Sequence, residues 1–169
     1  MKRSPAKTPA AKPLRGKKTW REKLADDKDL PKVVKLEGAS IQRFGGATLA
    51  IPAPREVDAL MRKVPRGKVA TTNELRAAVA RKHRADAGCS ITTGIFAWMA
   101  AHAAEEAAAA GEVEITPYWR ILKIKGELNP KFPGGIPAIT ARLQAEGHAV
   151  VQKGKRYFVE DYEQSLAKL

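Results

Sequence analysis

Three helical patterns in a row, followed by a basic hairpin, constrain the fold of this chain more than any other feature of its sequence. Apolar residues recur at spacings of three and four over residues 54–64, behind a proline suited to a first helical turn. The stretch TTNE has the form of a capping box and opens a second helix over residues 71–83. A third helix is predicted over residues 90–110, with Ser90 as its N-cap and Gly111 as its end.

The third helix is rich in alanine and carries one stripe of large side chains at helical spacing. The stripe consists of Ile91, Ile95, Trp98, Met99 and His102, which is the pattern of a helix that faces a core. The sequence that follows predicts a short helix in IPAITARLQAEG, a hairpin in HAVVQKGKRYFV that turns at KGK, and a closing helix in EDYEQSLAKL.

This order of elements is that of a winged helix-turn-helix domain, in which one helix enters a DNA groove and the hairpin contacts the backbone. The predicted fold class is therefore mainly α with a small β hairpin, over residues 54–169. Residues 19–53 contain two strand-like runs around a Gly45-Gly46 turn, and we interpret them as an extension packed on this domain. An ordinary α+β domain with a basic surface is the alternative.

The excess of positive charge predicts an anionic partner. Lysine and arginine number 31 against 18 acidic residues, a formal net charge of +13, and double-stranded DNA is the first candidate. Residues 1–18 hold seven basic residues and no acid, in a stretch containing proline and alanine that we predict to be a disordered basic tail. A solubilising role is the alternative for this tail.

The sequence argues against several other classes of protein. Its most apolar stretch is interrupted by His102, Glu105 and Glu106 before it reaches the roughly 18 apolar residues of a membrane span, and no hydrophobic signal peptide is visible. A single cysteine, Cys89, and three histidines without metal-ligand spacing predict no internal disulfide, no metal site and no cofactor. We expect a monomer in the cytoplasm, associated with the nucleoid.

Residues 115–135, ITPYWRILKIKGELNPKFPGG, set an aromatic pair between Pro117 and Arg120 and follow it with a glycine-rich loop. Together with VPRGKVATTNEL and with Glu146 in QAEG, this motif resembles the DNA-binding domain of the methylated-DNA-protein cysteine methyltransferases, the alkylguanine-DNA alkyltransferases, and their alkyltransferase-like relatives. The resemblance covers residues 54–147 and implies binding to double-stranded DNA.

The chain departs from this family at the reacting centre. The resemblance places Tyr118 at the acceptor cysteine and Trp119 at the histidine that serves as its base, while Pro117 and Arg120 are retained. A phenol with a pKa of about 10 is little ionised near neutrality, and no base is predicted beside it. The resemblance therefore implies no catalytic residue and no self-alkylation; an active methyltransferase is the lesser alternative.

The resemblance also implies two groups of site residues. Thr72 and Thr93 correspond to the family's phosphate-crowding tyrosine and intercalating arginine, and His102 corresponds to a pocket asparagine. A pocket for an altered base is expected from Pro117, Tyr118, Trp119, Arg120, His102 and Glu146, unless the two aromatic side chains only fill the cavity left by lost catalysis. DNA contacts are expected from Lys68, Thr71, Thr72, Ser90, Thr92, Thr93, Gly94, Lys153 and Lys155.

These features favour a non-enzymatic DNA-binding protein of the alkyltransferase-like kind, which recognises alkylated or distorted DNA and marks it for other repair proteins. The first alternative is a general nucleoid or regulatory winged-helix protein without a lesion preference. The second is an enzyme that uses Cys89, which lies just before a predicted helix N-terminus and near His83 and Arg84 in sequence. A structural cysteine in a turn is the other interpretation of Cys89.

Overall fold

The fold is described from a computed structural model for residues 16–169, so the basic tail predicted over residues 1–18 lies outside the described residues except for 16–18. The α-helices are α1 (Trp20–Leu24), α2 (Ala39–Phe44), α3 (Pro54–Arg62), α4 (Thr72–His83), α5 (Ser90–Ala109) and α6 (Gly135–Ala145). The strands are β1 (Lys32–Lys35), β2 (Thr48–Ile51), β3 (Ala70–Thr71), β4 (Ala87–Gly88), β5 (Ile121–Leu122), β6 (Val150–Lys153) and β7 (Arg156–Val159). Short 3-10 helices cover Tyr118–Arg120, Ile124–Gly126 and Tyr162–Ser165.

The structure is helical with small sheets, which contain the predicted hairpin, the two strand-like runs predicted within residues 19–53, and three two-residue strands that the sequence did not predict. β1 pairs antiparallel with β2, which in turn pairs parallel with β4 from the connection between α4 and α5. β3 pairs parallel with β5, and β6 pairs antiparallel with β7 in the predicted hairpin. The residues preceding α3 are thus joined to the helical part by backbone hydrogen bonds within a sheet.

Local signals account for α3 and α4. Pro54 occupies the first turn of α3, and Val57 and Met61 on the inner face of that helix are fully buried. Thr71 caps α4, where its hydroxyl accepts a backbone N–H of the first turn and its own backbone N–H donates to the Glu74 carboxylate at 2.7 Å. Because apolar spacing and capping are local properties, the sequence predicts both helices correctly.

The predicted orientation of α5 is wrong. Its buried face consists of alanines and Thr93, whereas Ile91 and Ile95 are 50% and 49% exposed. The N-cap is Cys89 instead of Ser90. Alanine side chains are short, so α1 and α3 pack closely against this face; Ile91 and Ile95 are turned away from the main core, and Trp98 packs against its edge.

Two other segments differ from their predictions. The C-terminal stretch is not an α-helix, because after the 3-10 turn its backbone is extended and the N–H of Ala167 donates to the carbonyl of Val69 at 2.8 Å. Between β1 and β2, the predicted glycine turn is preceded by α2, which ends at Gly45 with a φ of +88°. A left-handed glycine at this position is a common way to end a helix.

The main core lies between α3, α4, α5 and α6. Its largest fully buried side chains include Met61, Leu75, Tyr118 and Leu143. α1 lies on α5, and its Leu24 packs against the edge of this core. Within residues 16–169, no helix is both long enough and apolar enough to cross a membrane.

Candidate nucleic-acid interface

A groove runs along the outer face of α5. It encloses about 820 Å³ between this helix and the segment 123–131. Large side chains of α5 form one wall, and residues of the segment 123–131 form the other. The lining residues are Thr72, Ile91, Gly94, Ile95, Trp98, His102, Lys123, Asn129, Pro130 and Lys131.

The groove combines apolar and basic chemistry. Ile91 and Ile95 are half-exposed on the helix wall, and Lys123 and Lys131 lie on the opposite wall, where Lys123 Nζ pairs with Glu127 at 2.8 Å. Among the described residues, none that lines this groove is a carboxylate. Apolar side chains contact bases and lysines contact phosphates, so the surface suits an aromatic and anionic polymer.

Trp98 ties the two walls of the groove together. Its indole N–H donates to the carbonyl of Lys131 at 3.0 Å, and its ring meets that of His102 at a centroid distance of 4.7 Å. Burial lowers the pKa of His102 below its usual value, so this imidazole is neutral near pH 7. The aromatic end of the groove therefore carries no charge of its own at neutral pH.

Gly94 marks an open point on α5. A Cβ placed on this residue would meet no heavy atom within 4 Å, and Gly94 itself lines the groove. Ser90, one turn earlier, is exposed. A ligand can therefore approach the helix backbone closely here, and a side chain introduced at position 94 would extend into the groove without displacing the core.

Three of the predicted DNA contacts are wrong. Thr93 is fully buried, and the hydroxyl of Thr92 is also buried. Thr71 is only 3% exposed, and its hydroxyl is held by Glu74 in the cap of α4. Thr93 and the Thr92 hydroxyl are buried because of the rotation of α5, and Thr71 is buried because it caps α4. The remaining predicted contacts, Lys68, Thr72, Ser90, Gly94, Lys153 and Lys155, are exposed or half-exposed.

The β6–β7 hairpin presents a basic tip. Lys153, Lys155 and Arg156 are exposed, and the charged groups of Lys153 and Arg156 each lie 5.6 Å from the centre of the Phe158 ring. This cation–π packing holds the charges close to the ribbon. Arg156 is not among the DNA contacts predicted from the sequence, although the basic run KGKR indicates it.

Tyr118 does not line the groove. It is 1% exposed, and its hydroxyl donates to Glu105 Oε1 at 2.7 Å, so the expectation that no base stands beside it is wrong. Glu105 also pairs with Arg142 at 3.1 Å. Burial, followed by the hydrogen bond to Glu105, raises the pKa of Tyr118, and the phenol stays protonated. The sequence analysis did not predict Glu105 as the partner of Tyr118, because Glu105 lies on another element, α5.

Glu146 accepts hydrogen bonds from the two side chains that follow Tyr118 in sequence. Its carboxylate accepts from the indole N–H of Trp119 at 2.8 Å, from two guanidinium nitrogens of Arg120 at 2.8 and 2.9 Å, and from the backbone N–H of Gly67 at 3.2 Å. Burial raises the pKa of Glu146, but the bonds from Arg120 and Trp119 outweigh it and hold the pKa below its usual value. The charged pair is buried, because the side chains of Glu146 and Arg120 are 4% and 14% exposed.

The structure divides the pocket predicted from the sequence. Pro117, Trp119 and Arg120 line a second cavity of about 730 Å³, which also contains Arg142. His102 lies in the groove instead, and Tyr118 and Glu146 belong to the packed interior. Tyr118, Trp119, Arg120 and Glu146 are therefore held in a hydrogen-bonded and aromatic network, and the open site adjoins α5.

Cys89 is packed in apolar surroundings. It is 5% exposed and clusters with Leu49 and Ala87 beside the three-stranded sheet. His83, its neighbour in sequence, directs Nε2 to the Glu56 carboxylate at 3.1 Å. The contacts of Cys89 are those of a structural residue, and they leave its thiol little access to a substrate.

The chain matches no protein-family model and no curated protein. Two solved structures are similar to it, S. pombe Atl1 in complex with damaged DNA containing O6-carboxymethylguanine and S. pombe ATL in complex with DNA. Each has 17% sequence identity and a TM-score of 0.48, and the match covers 69% of this chain and 94% of the other.

Proposed function

We propose that this protein binds double-stranded DNA without transferring a group, and that it recognises alkylated or distorted sites for repair. In this proposal α3, α4, α5 and the β6–β7 hairpin act as a winged helix-turn-helix, with α5 against the bases and the hairpin against phosphates. The observation that carries the proposal is the groove on α5, where the exposed Ile91 and Ile95 face lysines and no lining residue in the described part of the chain is acidic.

The groove offers affinity of two kinds. Ile91 and Ile95, half-exposed in the free protein, would be shielded from water by base edges, and one base stacked on Trp98 contributes about 1–3 kcal/mol. Lys123, Lys131 and the hairpin cations would displace counterions from phosphates, which makes binding depend on salt. The contacts with bases respond to an altered base, and the contacts with phosphates are independent of sequence.

The residues at the family's reacting centre argue against transfer chemistry. A nucleophile must lose its proton, whereas the buried Tyr118 hydroxyl has a raised pKa and donates its hydrogen bond to Glu105. The indole of Trp119 is a donor only, and it already donates to Glu146. We therefore assign these two side chains to packing and not to catalysis.

The proposal is tested by placing a charge in the groove. Gly94→Glu should weaken duplex binding by about tenfold or more, because a carboxylate facing phosphates costs several kcal/mol. Gly94→Ala should bind like the native protein, since its added methyl group meets open space. Ala109→Glu is the matched control: it adds the same charge at an exposed site on the same helix, about 22 Å away.

Two outcomes would contradict this placement. Native affinity in Gly94→Glu would show that DNA does not meet α5 at the groove. Equal weakening by Gly94→Glu and Ala109→Glu would show that only the net charge of the protein matters. Circular dichroism and thermal unfolding of all three variants establish that each is folded.

General DNA binding without a lesion preference is the second candidate function. It is supported by the distribution of charge, since seven basic residues lie within residues 1–18 and none of the acids does. Such a protein would bind alkylated and unmodified duplexes equally, and the Gly94→Glu experiment would not separate it from the first candidate. Comparison of those two duplexes does separate them.

A further inference from the structure

The N-terminus of helix α1 is fixed to α5 by hydrogen bonds. Both carboxylate oxygens of Glu106 accept backbone N–H groups of α1, one from Trp20 at 2.8 Å and one from Arg21 at 2.9 Å. Thr19 and Glu22 complete a capping box at the same end. This short helix is therefore held in one orientation on α5.

The docking places the Trp20 ring against the aromatic end of the groove. Trp20 stacks on His102, with ring centroids 4.6 Å apart and an angle of 23° between the planes. It meets Trp98 edge to face at 4.7 Å and 87°. The ammonium of Lys23 lies 4.0 Å from the centre of the same indole ring. Three side chains therefore hold the Trp20 ring in place.

These contacts connect Trp20 to both walls of the groove. Trp20 touches Trp98, and the indole N–H of Trp98 bonds to the Lys131 carbonyl on the opposite wall. Trp98 and His102 line the groove, whereas Trp20 stands behind them, outside the lining. Movement of the Trp20 ring would free both groove side chains to change rotamer.

We propose that Trp20 is a positioning residue for the groove, which fixes the Trp98 ring and so sets the space available to a nucleobase. The inference rests on the proposed function, because it assumes that a base enters the groove. Trp20 contributes to the discrimination between altered and normal duplex, while the lysines and the hairpin supply the affinity common to both. α1 is thus part of the recognition site.

The experiment replaces Trp20 by alanine and by phenylalanine and measures affinity for a duplex with one O6-alkylguanine and for its unmodified twin. Aromatic pairs contribute about 0.5–1.5 kcal/mol, so Trp20→Ala should lower the preference for the alkylated duplex by roughly 2- to 12-fold. Affinity for the unmodified duplex should change less than about twofold. Trp20→Phe, which keeps an aromatic ring, should restore most of the preference.

A second measurement follows the groove without DNA. The solvent exchange rate of the Trp98 indole proton, resolved by NMR, should rise in Trp20→Ala because the ring loses its support while the bond to Lys131 loosens. Native exchange together with native preference in Trp20→Ala would overturn the positioning role. Faster exchange in a protein whose native form binds both duplexes equally would refute the proposed function instead, and leave the positioning of Trp98 established.

Discussion

Removing the Glu146 carboxylate should destabilise the protein more than any surface substitution. The side chain is 4% exposed and accepts hydrogen bonds from Trp119, Arg120 and the backbone of Gly67. In Glu146→Ala, the 14% exposed guanidinium of Arg120 would keep only its bond to the Val64 carbonyl at 2.7 Å. A charge and an indole N–H would thus remain buried without their main partner.

The magnitude follows from that geometry. Breaking one side of a buried ion pair costs roughly 3–5 kcal/mol, and we expect the lower end, about 3 kcal/mol, because Arg120 retains one partner and some exposure. For a chain of this size, such a loss lowers the melting temperature by about 6–12 °C. Urea unfolding followed by tryptophan fluorescence measures the free energy directly, with the exposed Glu160→Ala as control.

The same carboxylate predicts a dependence on pH. Its pKa in the folded protein lies below the unfolded value, so its contribution to stability is fully present above the unfolded pKa of about 4.3 and is lost as pH falls through the folded pKa. Glu146→Gln should therefore flatten the fall in stability below about pH 4. A loss under about 1 kcal/mol in Glu146→Ala, or an unchanged acid profile, would refute the account of this buried network.

Three further predictions concern the tail and Tyr118. Residues 1–18 hold seven basic residues. Deleting them should make the plot of log binding constant against log salt concentration less steep, by up to about 0.9 for each phosphate that the tail neutralises. An unchanged slope would show that the tail does not contact DNA. Tyr118→Phe removes the hydrogen bond to Glu105 and should reduce the free energy of unfolding, measured in urea, by about 1 kcal/mol. The loss stays small because Glu105 keeps Arg142 as a partner. Native stability would show that the phenol hydrogen bond contributes nothing. Wild-type protein incubated with duplex carrying a labelled alkyl group should acquire no label, because the buried Tyr118 hydroxyl keeps its proton and donates its hydrogen bond to Glu105; label on the wild type would refute the non-enzymatic account.

The sequence predicted those parts of the fold that depend on neighbouring residues. The capping box at Thr71 and the apolar spacing in α3 are local, and both helices were placed correctly. The turn of the β6–β7 hairpin was also marked by its own residues, with Gly154 at a φ of +64°. These elements form their characteristic hydrogen bonds within a few positions of the chain.

The orientation of α5 could not be predicted in the same way. A stripe of large apolar residues ordinarily indicates a core-facing helix, but close packing of alanines against α1 and α3 reverses the preference. The pairing of Trp20 with Trp98 joins residues 78 positions apart, and no spacing rule connects them. Contacts between distant elements therefore determined where the open groove lies.

The residues around Tyr118 show the same limit. Sequence alone grouped Tyr118 with Trp119 and Glu146, and the structure brings them close together. It could not show that Glu105 of α5 accepts from the Tyr118 hydroxyl, or that the phenol is sealed from solvent. Burial depends on what packs above a residue, so Tyr118 and Glu146 lie in the packed interior, whereas Pro117, Trp119 and Arg120 line a separate cavity.

The most direct test of the central claim is the affinity of the native protein for two duplexes that differ only in one O6-alkylguanine. Both must be measured at the same salt concentration, near physiological ionic strength, because lysine contacts with phosphates are common to both complexes. The proposed recognition of altered bases predicts tighter binding of the alkylated duplex, by about 1–3 kcal/mol if one base stacks on Trp98. Equal dissociation constants would contradict it and leave a general DNA-binding protein.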